Sequence, residues 1–178
     1  VTDASEEPDE PWLSAEQLHQ WVSLVAMVTT LPVSLDAQLK RDQGINLFEY
    51  HVLVELGDAP GGVRTMSTLA SLARGSLSRL SHAVSRLEAA GWVERRACGG
   101  AGRRTEALLT AEGRAKLRDS APGHVREVRR LIIDTLTAEE LAHLGHAARR
   151  VIAATDPEIA ATVAERSREH TGSANPLP

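Results

Sequence analysis

Apolar residues recur along the chain at two spacings, and the alternation between them outlines the elements. Steps of three and four put Leu18, Trp21, Val22, Val25 and Val28 on one side of a long helix, which Ser14 opens as N-cap with Glu16 and Gln17 behind it. Leu35 and Leu39 prolong the pattern beyond Pro32, where a kink or break is expected because proline donates no N–H and crowds the preceding turn. Gly44 ends this helix. Asn46 caps a second, Leu47 to Leu56, with Leu47, Tyr50, Leu53 and Val54 inward. Ala59-Pro60-Gly61-Gly62 is a loop.

A short extended piece, Val63 to Thr65, leads to a helix capped by Ser67 or Thr68 and ending near Arg74. Ser76 caps the next helix, which runs to Gly91, with Leu77, Leu80, Val84 and Leu87 on its apolar side. Spacing then drops to two. Trp92 to Arg96 and Thr105 to Leu109 read as strands around the glycine-rich tip Ala97-Cys98-Gly99-Gly100-Ala101-Gly102. Thr110 opens a helix through Leu117, Pro122-Gly123 breaks the pattern, and Val125 to Leu136 resumes it. Thr137 caps a long helix with Leu141, Leu144, Ala148, Val151 and Ile152 on one face; Pro157 ends it, and Ile159 to Glu169 is one more short helix.

The predicted fold is mainly α, α+β only by its hairpin: a winged helix-turn-helix. The expected organisation is an acidic disordered arm (1–13), an N-terminal dimerisation helix (14–44), a winged helix-turn-helix domain (45–117), C-terminal dimerisation helices (118–156), and a short helix with a disordered tail (157–178). The terminal helices are apolar along one face yet flank a small domain, which suggests burial against another subunit.

Composition narrows the class. Aromatics are 3% of residues, so the core rests on Leu, Val, Ile and Ala, which suits helix-on-helix packing. The pattern leads us to expect no segment long and apolar enough to cross a bilayer, which takes about 20 residues. The acidic N-terminus does not read as a secretory signal, and one cysteine excludes an intrachain disulfide. A cytoplasmic protein is the default expectation.

Charge changes the picture once it is resolved along the chain. The net charge is −4, yet Arg74 to Arg104 holds seven arginines against Glu88 and Glu94, so this segment is 7 − 2 = +5 and the rest −9. No Asp or Glu occurs from Ala59 to Leu87. A basic field on an acidic body fits a protein that docks one face on phosphates. The helix after Ser76 shows the matching chemistry: opposite its apolar side lie Ser78, Arg79, Ser81, His82, Ser85 and Arg86. A solvated face would mix Glu with Lys. Small hydroxyls instead permit close approach to a major groove, and Arg can grip guanine O6 and N7. Arg95 and Arg96 on one strand, and Arg103 and Arg104 at the start of the other, put charge beside the minor groove or the backbone.

The stretches GINLFEYHVLVELGDAPGG (44–62), MSTLASLARGSLSRLSHAVSRLEAAGWVERR (66–96) and GRRTEALLTAEGRAKL (102–117) resemble the MarR family of bacterial regulators, SRLEAAGWVERR and LTAEG most of all. The resemblance implies a homodimer, built by the terminal helices, that reads a pseudo-palindromic DNA operator, most often as a repressor. By position it assigns DNA contact to Ser76, Ser78, Arg79, Ser81, His82, Ser85, Arg86, Arg95, Arg96, Arg103 and Arg104, with Arg103 as the wing arginine. Ala101 replaces an acidic residue that often braces that arginine, Arg104 stands where a small residue is common, and Pro32 lies in a helix that is usually unbroken. The resemblance also implies a small lipophilic or phenolic effector that releases DNA, for which Trp21, Tyr50 and His51 are the candidate contacts; as aromatic and ring side chains they fit core packing equally well.

Other readings stay open at the level of sequence. Cys98 lies beside Arg95 and Arg96, which favour a thiolate, so oxidation there would disturb the wing. A winged-helix module that binds a protein and not DNA is a further alternative. No metal site or cofactor is expected: His143 and His146 with Glu140 fit a solvated helix face. Nor is an enzyme, since no nucleophile elbow, phosphate-cradling loop or Cys/His cluster occurs.

Overall fold

The computed structural model describes residues 12–98 and 104–171, with only the backbone described at Cys98, Arg104 and residues 169–171. The predicted acidic arm up to residue 11, residues 99–103 and the tail after residue 171 lie outside the described residues, while Ala97 and Cys98, expected in the hairpin tip, continue the strand before it. Contacts divide the chain between Ser34 and Leu35 into two units.

One helix, α1 (Ala15–Gln43), runs through both. Ser14 caps it as expected, its Oγ accepting the Gln17 N–H at 3.2 Å while Gln17 Oε1 accepts the Ser14 N–H. Pro32 does not break it. Hydroxyls crowd the carbonyls around the proline: Thr29 and Thr30 donate to Val25 and Ala26, and Ser34 to Thr30. In the first unit α1 leaves Trp21, Val22, Val28 and Val33 more than half exposed. It also corrects the sequence expectation about apolar length: by length and composition α1 is long and apolar enough to cross a bilayer, because no charged residue falls between Glu16 and Asp36.

In the second unit α2 (Leu47–Gly57) follows, capped by Asn46 in a full capping box with Glu49. The single inward face predicted for α2 is too narrow, since Phe48, Glu49, Tyr50, Val52, Leu53, Glu55 and Leu56 are all buried. The helix is wrapped on several sides by α3 (Met66–Leu72), α4 (Leu77–Ala89) and α5 (Ala111–Val128). A 3-10 turn at Pro60–Gly62 precedes β1 (Val63–Thr65), and β2 (Val93–Cys98) and β3 (Arg104–Leu109) form the wing. The sheet is antiparallel in the order β1-β3-β2, with Val63 opposite Leu108 and Val93 opposite Leu109. Leu39, Leu53, Leu69, Leu80, Val84 and Ala107 pack into one core with no exposed surface.

Helix α5 corrects a second proline reading. Pro122 and Gly123 sit inside it, and the helix passes through a π-helical turn, Arg129–Ile133, before stopping. Lys116 on α5 ties the end of α1, donating to the Gln43 carbonyl at 2.7 Å with its ammonium 4.9 Å from the Trp92 ring. Thr137 caps α6 (Ala138–Thr155), again with a capping box, and no residue of α6 is buried. Pro157 opens α7 (Pro157–Thr171), where its missing N–H costs nothing. Arg166 on α7 pairs with the buried Glu55 on α2.

Candidate nucleic-acid interface

Helices α3 and α4 are joined by a turn that local chemistry builds. Thr65, and not the predicted Ser67 or Thr68, caps α3 by accepting the Thr68 N–H at 3.2 Å. Arg74 takes a left-handed conformation, φ 56°, in the turn. At Gly75 a Cβ would come within 2.6 Å of the Phe48 ring, so only glycine lets the turn close there. Ser76 then caps α4, accepting the Arg79 N–H at 3.1 Å. Gly91, φ 77°, stops the chain after α4 and turns it into β2.

The two faces of α4 are sorted much as the sequence predicts. Leu80, Ala83, Val84 and Leu87 are buried, whereas Leu77, expected on that side, is 56% exposed because it lies in the first turn before the helix meets its neighbours. Ser76, Ser78, Arg79, Ser81, His82, Ser85 and Arg86 are all exposed. The face thus holds hydroxyls, an imidazole and two guanidinium groups, with no acid before Glu88.

Neither arginine on it swings free. The Arg79 guanidinium carbon lies 4.2 Å from the centroid of Phe48. Arg86 Nε donates to Glu49 Oε1 at 2.5 Å, although the Arg86 side chain is still 60% exposed. The wing is held differently. Arg95, half-buried on β2, donates to Glu88, to the Ser81 carbonyl at 2.6 Å and to Ser85 Oγ at 2.9 Å. Its guanidinium therefore braces β2 against α4. Arg96 pairs with Glu94 at 3.0 Å, a hydrogen bond that holds the Glu94 carboxyl below its ordinary range and raises Arg96. Arg103 lies outside the described residues, as do the side chains of Arg104 and Cys98, whose backbones pair across β2 and β3.

The effector candidates fall in different units, Trp21 in the first and Tyr50 and His51 in the second. Trp21 is 53% exposed on the first unit's part of α1, and Tyr50 is buried in α2. His51 follows Tyr50 with its ring 6.4 Å away. Sequence reasoning missed His124 on α5, which packs 4.6 Å from the Tyr50 ring, because it stands next to a Pro-Gly pair that reads as a break. Burial raises the Tyr50 hydroxyl, with Asp58 adding to it. His51 is exposed on α2, yet the protein around its ring partly desolvates it and lowers it, with Arg74 and Arg79 lowering it further. Burial and then His51 lower His124. His124 Nδ1 and Gln38 Oε1 are buried without hydrogen-bond partners among the described residues. His143 and His146 are exposed on α6, and among the described residues no group of three or more His, Cys, Asp or Glu gathers to hold a metal ion.

Known proteins supply a comparison for this geometry. The profile of the MarR family matches residues 43–104, from the end of α1 to the start of β3. Sco3205, a MarR family transcriptional regulator from Streptomyces coelicolor solved in complex with DNA, is 43% identical to this chain, with a TM-score of 0.78 over 82% of this chain and 95% of that one. AbsC, a MarR family transcriptional regulator from the same organism, is 33% identical, with a TM-score of 0.70 over 89% and 98%. PcaV, a transcriptional regulator from that organism solved with its natural ligand, shares the fold at 21% identity and a TM-score of 0.61, over 88% and 99%. Comparison with curated proteins gives no match.

Proposed function

The chain belongs to the MarR family of transcriptional regulators, and from that premise we propose that it regulates transcription by binding a pseudo-palindromic DNA operator as a homodimer. One observation carries this reading. The exposed face of α4 presents Ser78, Arg79, Ser81, His82, Ser85 and Arg86 on a capped helix that follows a tight turn, with the wing beside it. Such a helix enters a major groove, its hydroxyls meeting phosphates and its arginines meeting guanine edges. The similarity to Sco3205, whose structure includes DNA, supports the same use here.

Within this reading Arg79 and Arg86 are the base-reading candidates. Ser76, Ser78, Ser81, Ser85 and His82 contact backbone or base edges. Arg96, Arg103 and Arg104 belong to the wing contact, while Arg95 acts from behind by holding the wing to α4. The exposed apolar residues of α1 and α6, Trp21, Val22, Val28 and Val151 among them, supply the dimer contact, which is also the reading we adopt for the apolar length of α1. The domain limits proposed from the sequence go with it: a winged domain over 45–117, flanked by dimerisation helices over 14–44 and 118–156. A small lipophilic or phenolic effector acts beside Tyr50 and His51, with His124 added to that group. Among the described residues no observation favours a protein partner in place of DNA, or a redox trigger at Cys98.

Selection from a random-sequence duplex library tests the proposal. The full chain is expected to enrich a motif with two inverted half-sites about 10 base pairs apart, centre to centre. Enrichment of no sequence contradicts it.

A further inference from the structure

The two arginines on α4 share an arrangement that sequence reasoning did not anticipate. They lie seven residues apart, two helical turns or about 10 Å along the axis, on the edge of the face that meets α2. Two consecutive residues at the start of α2 hold them: Phe48 lies under Arg79 and Glu49 grips Arg86. We infer that Phe48 and Glu49 are positioning residues for DNA recognition, which fix the direction of both arginines without touching DNA themselves. The inference rests on the DNA-binding reading above.

Glu49 is suited to the task because its carboxylate has nowhere else to go. It is only 6% exposed, and a buried carboxylate needs a partner on each oxygen. Oε2 accepts the Asn46 N–H at 2.8 Å, completing the cap of α2, while Asn46 Oδ1 accepts the Glu49 N–H at 2.9 Å. Oε1 is thereby aimed at α4 and takes Arg86 Nε. Of the five N–H donors of Arg86, one is engaged, and among the described residues no hydrogen bond engages the four on its Nη atoms. That fork is the edge that reads guanine O6 and N7. Arg79 is restrained by a cation–π contact instead: its guanidinium lies over the Phe48 ring, a contact that uses none of its N–H groups as hydrogen-bond donors. Gly75 leaves the room in which the Phe48 ring sits. Both side chains are thus ordered before DNA arrives, which lowers the entropy lost on binding and narrows the bases they accept.

Glutamine at position 49 separates positioning from folding. It keeps the N3 side chain that a capping box uses, but has one carbonyl oxygen where two are needed, so it serves Asn46 or Arg86 and not both. The experiment selects from the random duplex library with the full wild-type chain, Glu49→Gln, Arg86→Ala, the double variant, Phe48→Leu and Arg79→Ala, reading base frequencies by sequencing and folding by melting midpoint. Glu49→Gln is expected to flatten, by roughly tenfold, the same symmetry-related positions that Arg86→Ala flattens. The double variant should add nothing at those positions. Binding to an unselected duplex should hold or rise in Glu49→Gln, since an acid is removed and the arginine stays. Phe48→Leu should repeat the pattern at the positions Arg79 reads. A Glu49→Gln profile equal to wild type overturns the inference, as does a uniform loss that follows the melting midpoint. A wild-type chain that enriches no sequence overturns the DNA-binding reading and the inference with it.

Discussion

Two regions of this molecule carry apolar residues at the same helical spacing and treat them in opposite ways. Around α2 and α4 the apolar positions are covered apart from Leu77: Leu53, Leu80 and Val84 have no exposed surface. On the first unit's part of α1 Trp21, Val22 and Val28 are each more than half exposed, and on α6 Val151 is too, while Leu141, Leu144 and Ile152 are partly covered. The winged region covers its own core within one chain, whereas the first unit's part of α1 and the face of α6 at Val151 leave large apolar side chains exposed. Periodicity tells which residues seek burial. It does not tell which chain supplies the cover.

The first way to break this comparison is to open the region that is closed. Leu80→Ala leaves a cavity between α4 and α2 and is expected to cost about 2–5 kcal/mol of folding stability, read by denaturant unfolding. A loss near that of a surface site removes the distinction. Next comes the region left bare. Val28→Glu combined with Val151→Glu should leave the wing region folded but shift the protein to monomer in sedimentation equilibrium. Operator affinity should fall by roughly a hundredfold as the two half-sites are no longer bound together. An unchanged dimer places the interface elsewhere.

Smaller effects sharpen the comparison within the closed region. Arg86→Ala is expected to cost roughly 1–3 kcal/mol in operator binding, concentrated at one base pair of each half-site. Arg95→Ala should instead weaken binding across all positions, because its guanidinium holds β2 to Ser81, Ser85 and Glu88.

The smallest effect is a pH dependence. His51 and His124 are both held below the ordinary histidine value of 6.5, so the unfolded chain takes up protons before the folded one does. Stability from these groups is intact above that value and falls as pH drops through it. The carboxylates with lowered values, Asp36 and Glu127 among them, act only at lower pH, since their ordinary values are 3.8 and 4.5. The melting midpoint is therefore expected to drop by a few degrees from pH 7.5 to 5.5, and His124→Asn to reduce that drop. A variant with the wild-type slope rules His124 out as a contributor.

Much of the fold is legible in the sequence because capping and periodicity are local. Ser14, Asn46, Ser76, Thr110 and Thr137 all cap the helices expected of them. The errors fall where a local rule is overruled by its surroundings. Pro122 reads as a break, yet α5 passes through it, and α1 likewise continues through Pro32, where a kink or a break is expected. Leu77 reads as core and is exposed. The face of α4 was legible because its residue types are unusual. What holds that face was not, because Phe48 with Arg79 and Glu49 with Arg86 join residues 31 and 37 positions apart, and Glu49 reads as an ordinary cap residue. Nor does spacing separate the wing's two adjacent arginines into a brace, Arg95, and a surface ion pair, Arg96.

The face of α4 is proposed to read DNA sequence on top of phosphate-directed electrostatics. The most direct test is fluorescence anisotropy of the wild-type chain on the duplex it enriches and on a scrambled duplex of equal length, across a salt series. Affinity for both is expected to fall steeply and linearly on logarithmic axes through counterion release, with the enriched duplex bound more tightly by roughly a thousandfold or more at every salt concentration. Affinity that ignores salt, or that is equal for the two duplexes, contradicts it.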